Sequence, residues 1–553
     1  MQNEERRMKK RGNGLRSALC ILLFAFLLPG CQSDFGAGGT GERVVAPEKL
    51  HTIQPFDISE SATTQASTEP TTRAAASTQS VSVSLTIEQV RQYALQNNLD
   101  LKVTLIDPTI ARQQLGVEQA RFESLFTTSI AYENTDQPTA SQLAGSQTKN
   151  LQFSPGVTIP LHTGGSLRFE VPFNRFETNN QFSTLNPAYT SDALVTLTQP
   201  LLRGFGTDAN AAGIRVAFYR YQESAARTKL EVIRVLAAAD RAYWRLYASR
   251  QVLAVRKQEY DLATAQLNRA RRQAEIGIVA EVDVVRAESG VADKLEAIII
   301  AENEVRNRER ELKRLLNEPD LSLDSLTILV PATEPRAVAY QLNAGHLVQQ
   351  AMAGRMELLE QELRIAEETA NVAFARNDLL PLVTLQYTYG INGLGASFDD
   401  SLTMVRDANF QDHRVGLTVE VPIGNESARR RVRAALASRM QQLATKEQRG
   451  LAIKQEVYNA VDQLEANWQR YLAARKRVVL AARVVEVEQR QFDQGLRTST
   501  DVLDAQTRLA NARSDEIAAL TEHQIAQIDI AFATGTLLGA SHVDWQATPP
   551  PPR

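Results

Sequence analysis

Two long stretches of helical periodicity limit what this chain can fold into. They cover about residues 208–275 and 425–493. At 1.5 Å per residue, each predicts a helix of about 100 Å. The apolar residues form narrow stripes, as at Leu230, Ile233 and Ala237, which suits side-by-side packing in a long bundle. Shorter helices are predicted at about 86–122, 280–316, 343–377 and 497–536.

The chain also contains an internal repeat. Ala94 and Leu101 recur 257 positions later as Ala351 and Leu358. A second match lies at an offset of 218 positions, where GIVAEVDVVRA begins at Gly277 and GLRTSTDVLDA begins at Gly495. Similarity at a nearly fixed offset predicts two copies of one structural unit. Each copy has the order helix, strands, long helix, tight turn, shorter helix.

The N-terminus carries the pattern of a targeting segment. Residues 1–17 are basic, and the apolar run that follows them is too short to cross a bilayer as a mature helix. The run ends in Leu-Pro-Gly-Cys31, which resembles the bacterial lipobox, so Cys31 is the predicted site of lipidation. An ordinary cleavage site followed by an incidental cysteine is the alternative interpretation. The Ser- and Thr-rich residues after Cys31 predict a flexible tether.

These patterns divide the chain into five predicted segments. They are a signal peptide at 1–30, a lipidated tether at 31–83, a first repeat at 84–341, a second repeat at 342–540, and a Pro-rich tail at 541–553.

Composition argues against several classes of function. The formal net charge of −3 argues against a broad nucleic-acid-binding surface. Cys20 and Cys31 are the only cysteines, and the six histidines occur singly, so a zinc or thiolate site has little support. The sequence also lacks a nucleophile elbow and a phosphate-binding loop. We therefore expect no enzyme, no cofactor, no metal and no nucleic-acid partner.

Six segments alternate apolar and polar residues. In one of them, Val415, Leu417 and Val419 alternate with Arg414 and Thr418. This alternation is typical of outer-membrane strands, which face lipid on one side and water on the other, and also of half-buried sandwich strands. Six strands are too few to enclose a polar lumen, so a barrel would need several chains. The segments are 124–134, 151–161, 166–174, 192–201, 382–390 and 414–422.

Long helices and alternating strands together resemble the TolC-like outer-membrane efflux proteins over about residues 84–540. The most specific matches are GIVAEVDVV at 277–285, GLRTSTDVLDA at 495–505 and TQPLLRGFG at 198–206. The resemblance implies an α+β membrane protein that forms a homotrimer, with a shared transmembrane β-barrel and a shared periplasmic α-barrel. It implies a lipid-anchored exit duct in the outer membrane, joined through a periplasmic adaptor protein to an inner-membrane pump of the RND or ABC type.

The resemblance also implies where a periplasmic gate would lie. Asp501 and Asp504 fall on the family's acidic-ring positions, and Arg497 matches an arginine that could bridge to Asp283. Phe492 stands where the best-known member has a tyrosine, which removes one hydrogen-bonded tie. Both aspartates are also explained as acids that favour a helix N-terminus.

Two glycines have a structural explanation. Gly277 and Gly495 allow tight turns between antiparallel helices. These hairpin tips are the expected contacts of the adaptor protein.

The number of strands departs from the family's best-known pattern of four per chain. If all six segments cross the membrane, a trimer closes about 18 strands, and His162–Gly165 is a short periplasmic turn. Pro155, Pro160 and Pro172 favour the other interpretation, an extracellular hairpin at 151–174 above a barrel of about 12 strands. A structural coiled-coil lipoprotein or adhesin without a channel is the alternative function.

Overall fold

The computed structural model describes residues 82–139, 145–277, 280–494 and 496–543. The predicted signal peptide, the predicted lipidation site Cys31, nearly all of the predicted tether, Gly495 and most of the C-terminal tail lie outside the described residues.

The described residues form helices and strands in a fixed order along the chain. They are β1 (Ser82–Leu85), α1 (Ile87–Asn97), α2 (Leu99–Thr104), α3 (Asp107–Ala120), β2 (Leu125–Asp136), β3 (Gln147–Pro160), β4 (Ser166–Glu170), β5 (Phe173–Thr178), β6 (Ala188–Pro200), α4 (Thr207–Asn210), α5 (Ala212–Glu275), α6 (Glu281–Leu316), a 3₁₀ turn (Pro319–Leu321), β7 (Ile328–Pro331), α7 (Ala344–Gly354), α8 (Met356–Asn377), β8 (Leu382–Gly395), α9 (Phe398–Arg406), β9 (Gln411–Glu420), α10 (Glu426–Asp493), α11 (Ser499–Ala533) and α12 (Leu537–Ala540).

Two long helical hairpins dominate this order. Helix α5 has 64 residues and is followed by α6, and helix α10 has 68 residues and is followed by α11. At 1.5 Å per residue both long helices extend over about 100 Å. The periodicity of the sequence therefore predicted these four helices correctly to within a few residues.

The two predicted helices at 86–122 and 343–377 are interrupted, so the prediction of continuous helices there was wrong. The backbone is extended at Asn98 (ψ 127°) and at Arg355 (ψ 126°). The Asn98 side chain accepts a hydrogen bond from the Leu101 amide at 2.9 Å and donates to the Leu315 carbonyl at 3.0 Å. The Arg355 guanidinium donates to Glu357 at 2.7 Å and to the distant Ala533 carbonyl at 3.0 Å. Asn98 also caps α2 locally, and the contacts with Leu315 and Ala533 in distant parts of the chain stabilise the two breaks.

All six predicted strands occur in one antiparallel sheet. Its order is β2-β3-β4-β6-β8-β9, and β5 continues the line of β4 because both pair with β3 and β6. One row of paired residues crosses all six strand lines: Leu125, Thr158, Arg168, Thr196, Thr388 and Arg414. The β3–β4 hairpin is therefore paired on both sides and is part of the sheet.

The two faces of this sheet differ in chemistry. The row next to the one just described is Phe126, Val157, Phe169, Val195, Tyr389 and His413. Because side chains alternate along a strand, these two rows lie on opposite faces. We call them the polar face, which carries Thr158, and the apolar face, which carries Val157. On the apolar face of β9, Val415 and Leu417 remain 72% and 60% exposed.

A second, small sheet was not predicted. Strands β1 and β7 are parallel and have four residues each, too few for a recognisable alternation. They lie against α5, where the Tyr243 hydroxyl donates to the Leu85 carbonyl and accepts from the Thr333 amide. The largest apolar core is here, around Val232, Leu236 and Leu246 of α5.

A buried ion pair fixes α1 on this core. Asp240 of α5 is fully buried, and Arg91 of α1 donates to both of its carboxylate oxygens at 2.9 Å. Burial raises the pKa of Asp240, and the bonds from Arg91 oppose that shift. A carboxylate in this position depends on its partner, because a buried charge without one is costly.

We predict that Arg91→Met lowers the free energy of unfolding by about 3–5 kcal/mol, because it leaves Asp240 buried and unpaired. The double variant Arg91→Met/Asp240→Leu should recover most of that loss. Arg430→Met is the matched control: its pair with Glu426 is exposed, so it should cost about 0–1 kcal/mol. Unfolding of the purified protein in detergent, followed by circular dichroism, measures the three values. Equal losses for Arg91→Met and Arg430→Met would contradict this account.

Candidate functional site: the tips of the two helical hairpins

The candidate site lies where α10 turns into α11. Thr498 precedes α11 and forms a capping box with Asp501: the Asp501 carboxylate accepts from the Thr498 amide at 2.9 Å and from its hydroxyl at 2.8 Å. These two hydrogen bonds, helped by the charge of Arg497, hold the pKa of Asp501 below its usual value. Asp501 therefore has the helix-capping role that the sequence left open beside the gating role.

Asp504 lies one turn further along α11. It is exposed, and among the described residues its side chain has no ion pair or hydrogen bond. Residues three apart on a helix share a face. The two carboxylates therefore lie on one side of the tip, one of them held by the cap and the other free to meet a neighbouring group.

Arg497 does not reach Asp283 within one chain. Its Nε lies 3.2 Å from the Glu488 carboxylate and donates to the Gln491 side chain at 3.1 Å. Asp283 instead accepts from Arg286, one turn along the same helix, at 3.2 Å. The physical reason is chain direction: the turn sends Arg497 back along the last turns of α10, where nearby acceptors already satisfy it.

The first hairpin turns at Gly277. Its φ is +75°, a conformation that residues with a Cβ rarely adopt. No atom lies within 4 Å of the position that a Cβ would occupy, so the backbone and not lack of space requires glycine here. Helix α6 begins soon afterwards without a side-chain cap.

Apart from Phe492, the residues that hold the two hairpins together were not singled out by the sequence. The Arg269 guanidinium of α5 lies 2.5 Å from the Asp493 carboxylate of α10 and 5.5 Å from the centre of the Phe492 ring. The Gln266 side chain donates to the Ser499 hydroxyl at 3.1 Å. Phe492 has no hydroxyl to bond with, and a cation–π contact with Arg269 takes that place.

Further from the tips, the contacts between the two hairpins continue at Lys294 of α6. Its ammonium group lies 2.7 Å from Glu259 of α5 and 2.9 Å from the Thr507 hydroxyl of α11. Glu259 is almost fully buried. Three helices therefore meet at one charge-paired contact, and moving α11 away from α5 and α6 would break it.

Within the described ranges, no three His, Cys, Asp or Glu side chains lie together in a way that could hold a metal ion. No helix of those ranges is long and apolar enough to cross a membrane. Among the described residues, the contacts at the tips are hydrogen bonds, ion pairs and the cation–π contact of Arg269 with Phe492.

Comparison with known proteins identifies the family to which these two helical hairpins belong. The sequence model described as "Outer membrane efflux protein" matches residues 173–318 and 347–536. The chain belongs to the outer membrane efflux protein family. Members of this family are outer-membrane channels, which confirms the TolC-like resemblance and the prediction that the chain is not an enzyme. Both hairpins lie largely within the matched residues.

Individual relatives agree with this assignment. The outer membrane protein TolC of Salmonella enteritidis is 25% identical over 360 residues, covering 63% of this chain and 69% of TolC. The outer membrane efflux protein BepC of Brucella suis is 24% identical over 361 residues, covering 63% of this chain and 71% of BepC. The crystal structure of the Campylobacter jejuni CmeC outer membrane channel superposes with a TM-score of 0.60 at 16% identity, covering 82% of this chain and 86% of CmeC. At that identity the superposition shows a shared fold.

The capping box predicts how the tip of α11 responds to acid. Because the pKa of Asp501 is lower in the folded tip than in an unfolded one, the cap stabilises α11 above about pH 4 and is lost as the pH falls further. Hydrogen exchange, normalised to intrinsic rates, should show the first amides of α11 losing protection in that range.

Thr498→Val removes the hydroxyl donor to Asp501, so the loss of protection should begin at a higher pH. Thr445→Val is the matched control, since its hydroxyl bonds only to the Gln441 carbonyl inside α10. Protection at the start of α11 that does not change between pH 6 and pH 3 would show that Asp501 does not cap this helix.

Proposed function

We propose that three copies of this chain form one outer-membrane exit duct, the outer component of a tripartite efflux pump or of a type I secretion system. The observation that carries the proposal is the single sheet with one exposed apolar face and two unpaired edges. A sheet of this kind is incomplete in a single chain.

The edges of the sheet call for further strands. Among the described residues, strands β2 and β9 each pair on one side only, and the other side presents unpaired backbone groups. In a bilayer every backbone polar group needs a partner, so a sheet there has to close into a barrel. Pairing β9 of one copy with β2 of the next closes the sheet and satisfies both edges.

The apolar face suits contact with lipid. Phe126, Phe169 and Leu417 on it are exposed in the single chain, whereas the opposite face carries Arg168 and Arg414. A barrel with the apolar face outwards places charges in a water-filled lumen, as outer-membrane barrels require.

The register favours six membrane strands per chain. The β3–β4 hairpin pairs with β2 on one side and β6 on the other, at the level of the middle of β8 and β9. Three copies would then close about 18 strands, more than the family's best-known pattern. An extracellular hairpin above a barrel of about 12 strands would leave β3 and β4 out of this row.

The helices carry exposed apolar stripes that a second copy could cover. Val103, Ile110 and Val117 are spaced seven residues apart along α2 and α3 and are 67%, 51% and 71% exposed. Leu451 and Tyr458 repeat this spacing on α10. Stripes with a period of seven favour helix–helix packing. We propose that they meet between neighbouring chains in the shared α-barrel.

The helix breaks support an origin of the two halves by duplication. Asn98 and Arg355 are 257 positions apart, the same offset that relates Ala94 to Ala351. Ala94 and Ala351 are both fully buried. Corresponding breaks and corresponding core positions are expected if one unit was copied.

The gate is proposed at the tips. Threefold symmetry would bring Asp501 and Asp504 of three chains around one constriction and favour cations. Arg269 with Asp493, and Arg497 with Glu488, would hold the closed arrangement. In the trimer, Asp283 in the neighbouring hairpin of the next chain would be a further partner of Arg497.

The partners and the membrane anchor are proposed from the family. The tips at Gly277 and Gly495 would contact a periplasmic adaptor protein, which joins the duct to an inner-membrane pump of the RND or ABC type. Lipidation at Cys31 would add an anchor in the outer membrane. The alternative function, a coiled-coil lipoprotein or adhesin, predicts no conductance, so ion conductance of the purified protein in planar bilayers tests the proposal.

The gate variants test the tips. Asp501→Ala/Asp504→Ala should lower the preference for cations towards that of a neutral pore. Asp515→Ala is its control, because Asp515 pairs with Arg477 inside one hairpin. An unchanged ratio of cation to anion permeability in the double variant would remove these aspartates from the gate.

Arg269→Ala should make the closed state leakier, because a partly exposed ion pair contributes about 0.2–1 kcal/mol per chain. Arg497→Ala should act in the same direction. Arg271→Ala removes the same charge two residues away, but Arg271 pairs with Glu288 of its own hairpin and should leave closed-state conductance unchanged. Equal leakage in Arg269→Ala and Arg271→Ala would contradict a specific tie between the hairpins.

Labelled cysteines test the strand number. In proteoliposomes, a fluorophore at Phe169→Cys should be quenched by lipid-borne quenchers, as at Val419→Cys. At Arg168→Cys it should respond to water-soluble quenchers, as at Thr418→Cys. Water-soluble quenching at both Phe169→Cys and Arg168→Cys, with lipid quenching kept at Val419→Cys, would place the β3–β4 hairpin outside the membrane and favour about 12 strands.

A further inference from the structure

Helix α9, in the connection between β8 and β9, packs directly on the sheet. The Ser401 hydroxyl lies 2.7 Å from the Ser191 hydroxyl of β6, and both side chains are fully buried. A Cβ on Gly393 of β8 would lie 2.1 Å from the Ser401 carbonyl oxygen. Phe398 at the start of α9 lies 5.0 Å from Phe173 of β5, measured between ring centres. The helix is therefore seated in a groove that glycine and serine make possible.

The groove that holds α9 lies on the apolar face of the sheet. Ser191 is four residues from Val195, and Gly393 is four residues from Tyr389. Phe173 pairs with Phe153, which is four residues from Val157 on β3. Residues an even number apart on a strand share a face. Helix α9 therefore covers the same side of the sheet that the proposed function places against lipid, and its assignment to a membrane layer rests on that proposed function.

The exposed polar side chains of α9 exclude a position within the hydrocarbon layer. Ser401 and Val405 face the sheet, whereas Asp399, Thr403 and Arg406 are exposed. Charged side chains inside the hydrocarbon are costly, so a helix with this outer side does not lie among acyl chains. Phe398 is 45% exposed beside its partner Phe173, as expected of an aromatic ring at a membrane–water boundary.

The height of α9 agrees with such a boundary. The helix lies at the end of the sheet opposite the helical hairpins, because β8 follows α8 and β9 leads into α10 at the other end. Gly393 lies eight residues along β8 from Leu385, which pairs with Leu417. At about 3.4 Å per residue and a tilt of about 40°, that separation spans about 20 Å of membrane. An apolar band of about 25 Å therefore ends close to α9.

We propose that α9 lies in the headgroup layer of the outer leaflet, on the outer wall of the barrel. Its occupant is the layer of sugar and phosphate headgroups that surrounds the barrel, and three copies form a collar that sets the depth of the barrel. Continuity with the apolar face below it and the polar outer side of the helix together select this surface over open water or hydrocarbon.

Spin labels measure the position of α9. The chain is reconstituted in vesicles that contain a lipid with a nickel-chelating headgroup, and nitroxides are attached at Thr403→Cys, Leu417→Cys and Thr418→Cys in separate variants. The unsubstituted chain corrects for any label on Cys31. Headgroup nickel should relax the Thr403→Cys label most strongly. Molecular oxygen should relax Leu417→Cys most strongly, and soluble nickel Thr418→Cys.

Each outcome has a distinct meaning. A Thr403→Cys label that is insensitive to headgroup nickel places α9 in open water or against another copy and overturns the proposal. A Thr403→Cys label as accessible to oxygen as Leu417→Cys places α9 in hydrocarbon and also overturns it. If Leu417→Cys and Thr418→Cys both report water, the barrel proposal fails instead, so the two failures are distinguishable.

A glycine variant tests whether packing holds α9 in place. Gly393→Ala introduces a Cβ against Ser401 and should abolish the headgroup signal at Thr403→Cys, with the labels at Leu417→Cys and Thr418→Cys unchanged. Gly416→Ala is the matched control, because no atom lies within 4 Å of its Cβ position. An unchanged signal in Gly393→Ala would show that this seat does not position the helix.

Discussion

A sheet of six strand lines has two edges, and each edge presents backbone N–H and C=O groups that need partners. In this chain the edges are β2 and β9, at opposite ends of the sheet. The cost of unpaired backbone groups in a bilayer makes closure by further copies the simplest solution. The proposed trimer, the outward orientation of the apolar face and the position of α9 all depend on this one requirement. The arrangement of the helices depends on it too, because each chain then contributes hairpins around a common axis.

The long helices need a fixed register against their neighbours. A helix of about 100 Å with a narrow apolar stripe buries little surface per turn, so its register against its neighbours is weakly specified by apolar contacts alone. Ion pairs supply that register. Arg91 with Asp240 is buried and costly to break, whereas Arg269 with Asp493 is partly exposed and contributes little. The pair that is costly to break therefore lies at the core, and the weak pair lies at the tips, where the proposed gate would move.

The candidate site was only partly predictable from sequence. Asp501, Asp504 and Gly277 belong to a repeated motif, and the structure places them at the hairpin tips. Arg269 has no motif, because its role depends on Asp493, more than 200 positions away, and only the packing of α5 against α10 brings them together. Arg497 has a motif, but within one chain its partner is Glu488 and not Asp283. Local sequence identifies the groups that can bond, and the path of the chain decides which of them do.

Periodicity alone determined most of the fold: the four hairpin helices and the six strand segments were readable because each depends on neighbours two to four residues away. The tertiary structure decided what depends on distant contacts. It broke two predicted helices at Asn98 and Arg355, paired β1 with β7 across 246 positions, and seated α9 on Gly393. It also placed the β3–β4 hairpin within the sheet despite three prolines. Each of these depends on partners that lie far away in the sequence, and no local pattern records such partners.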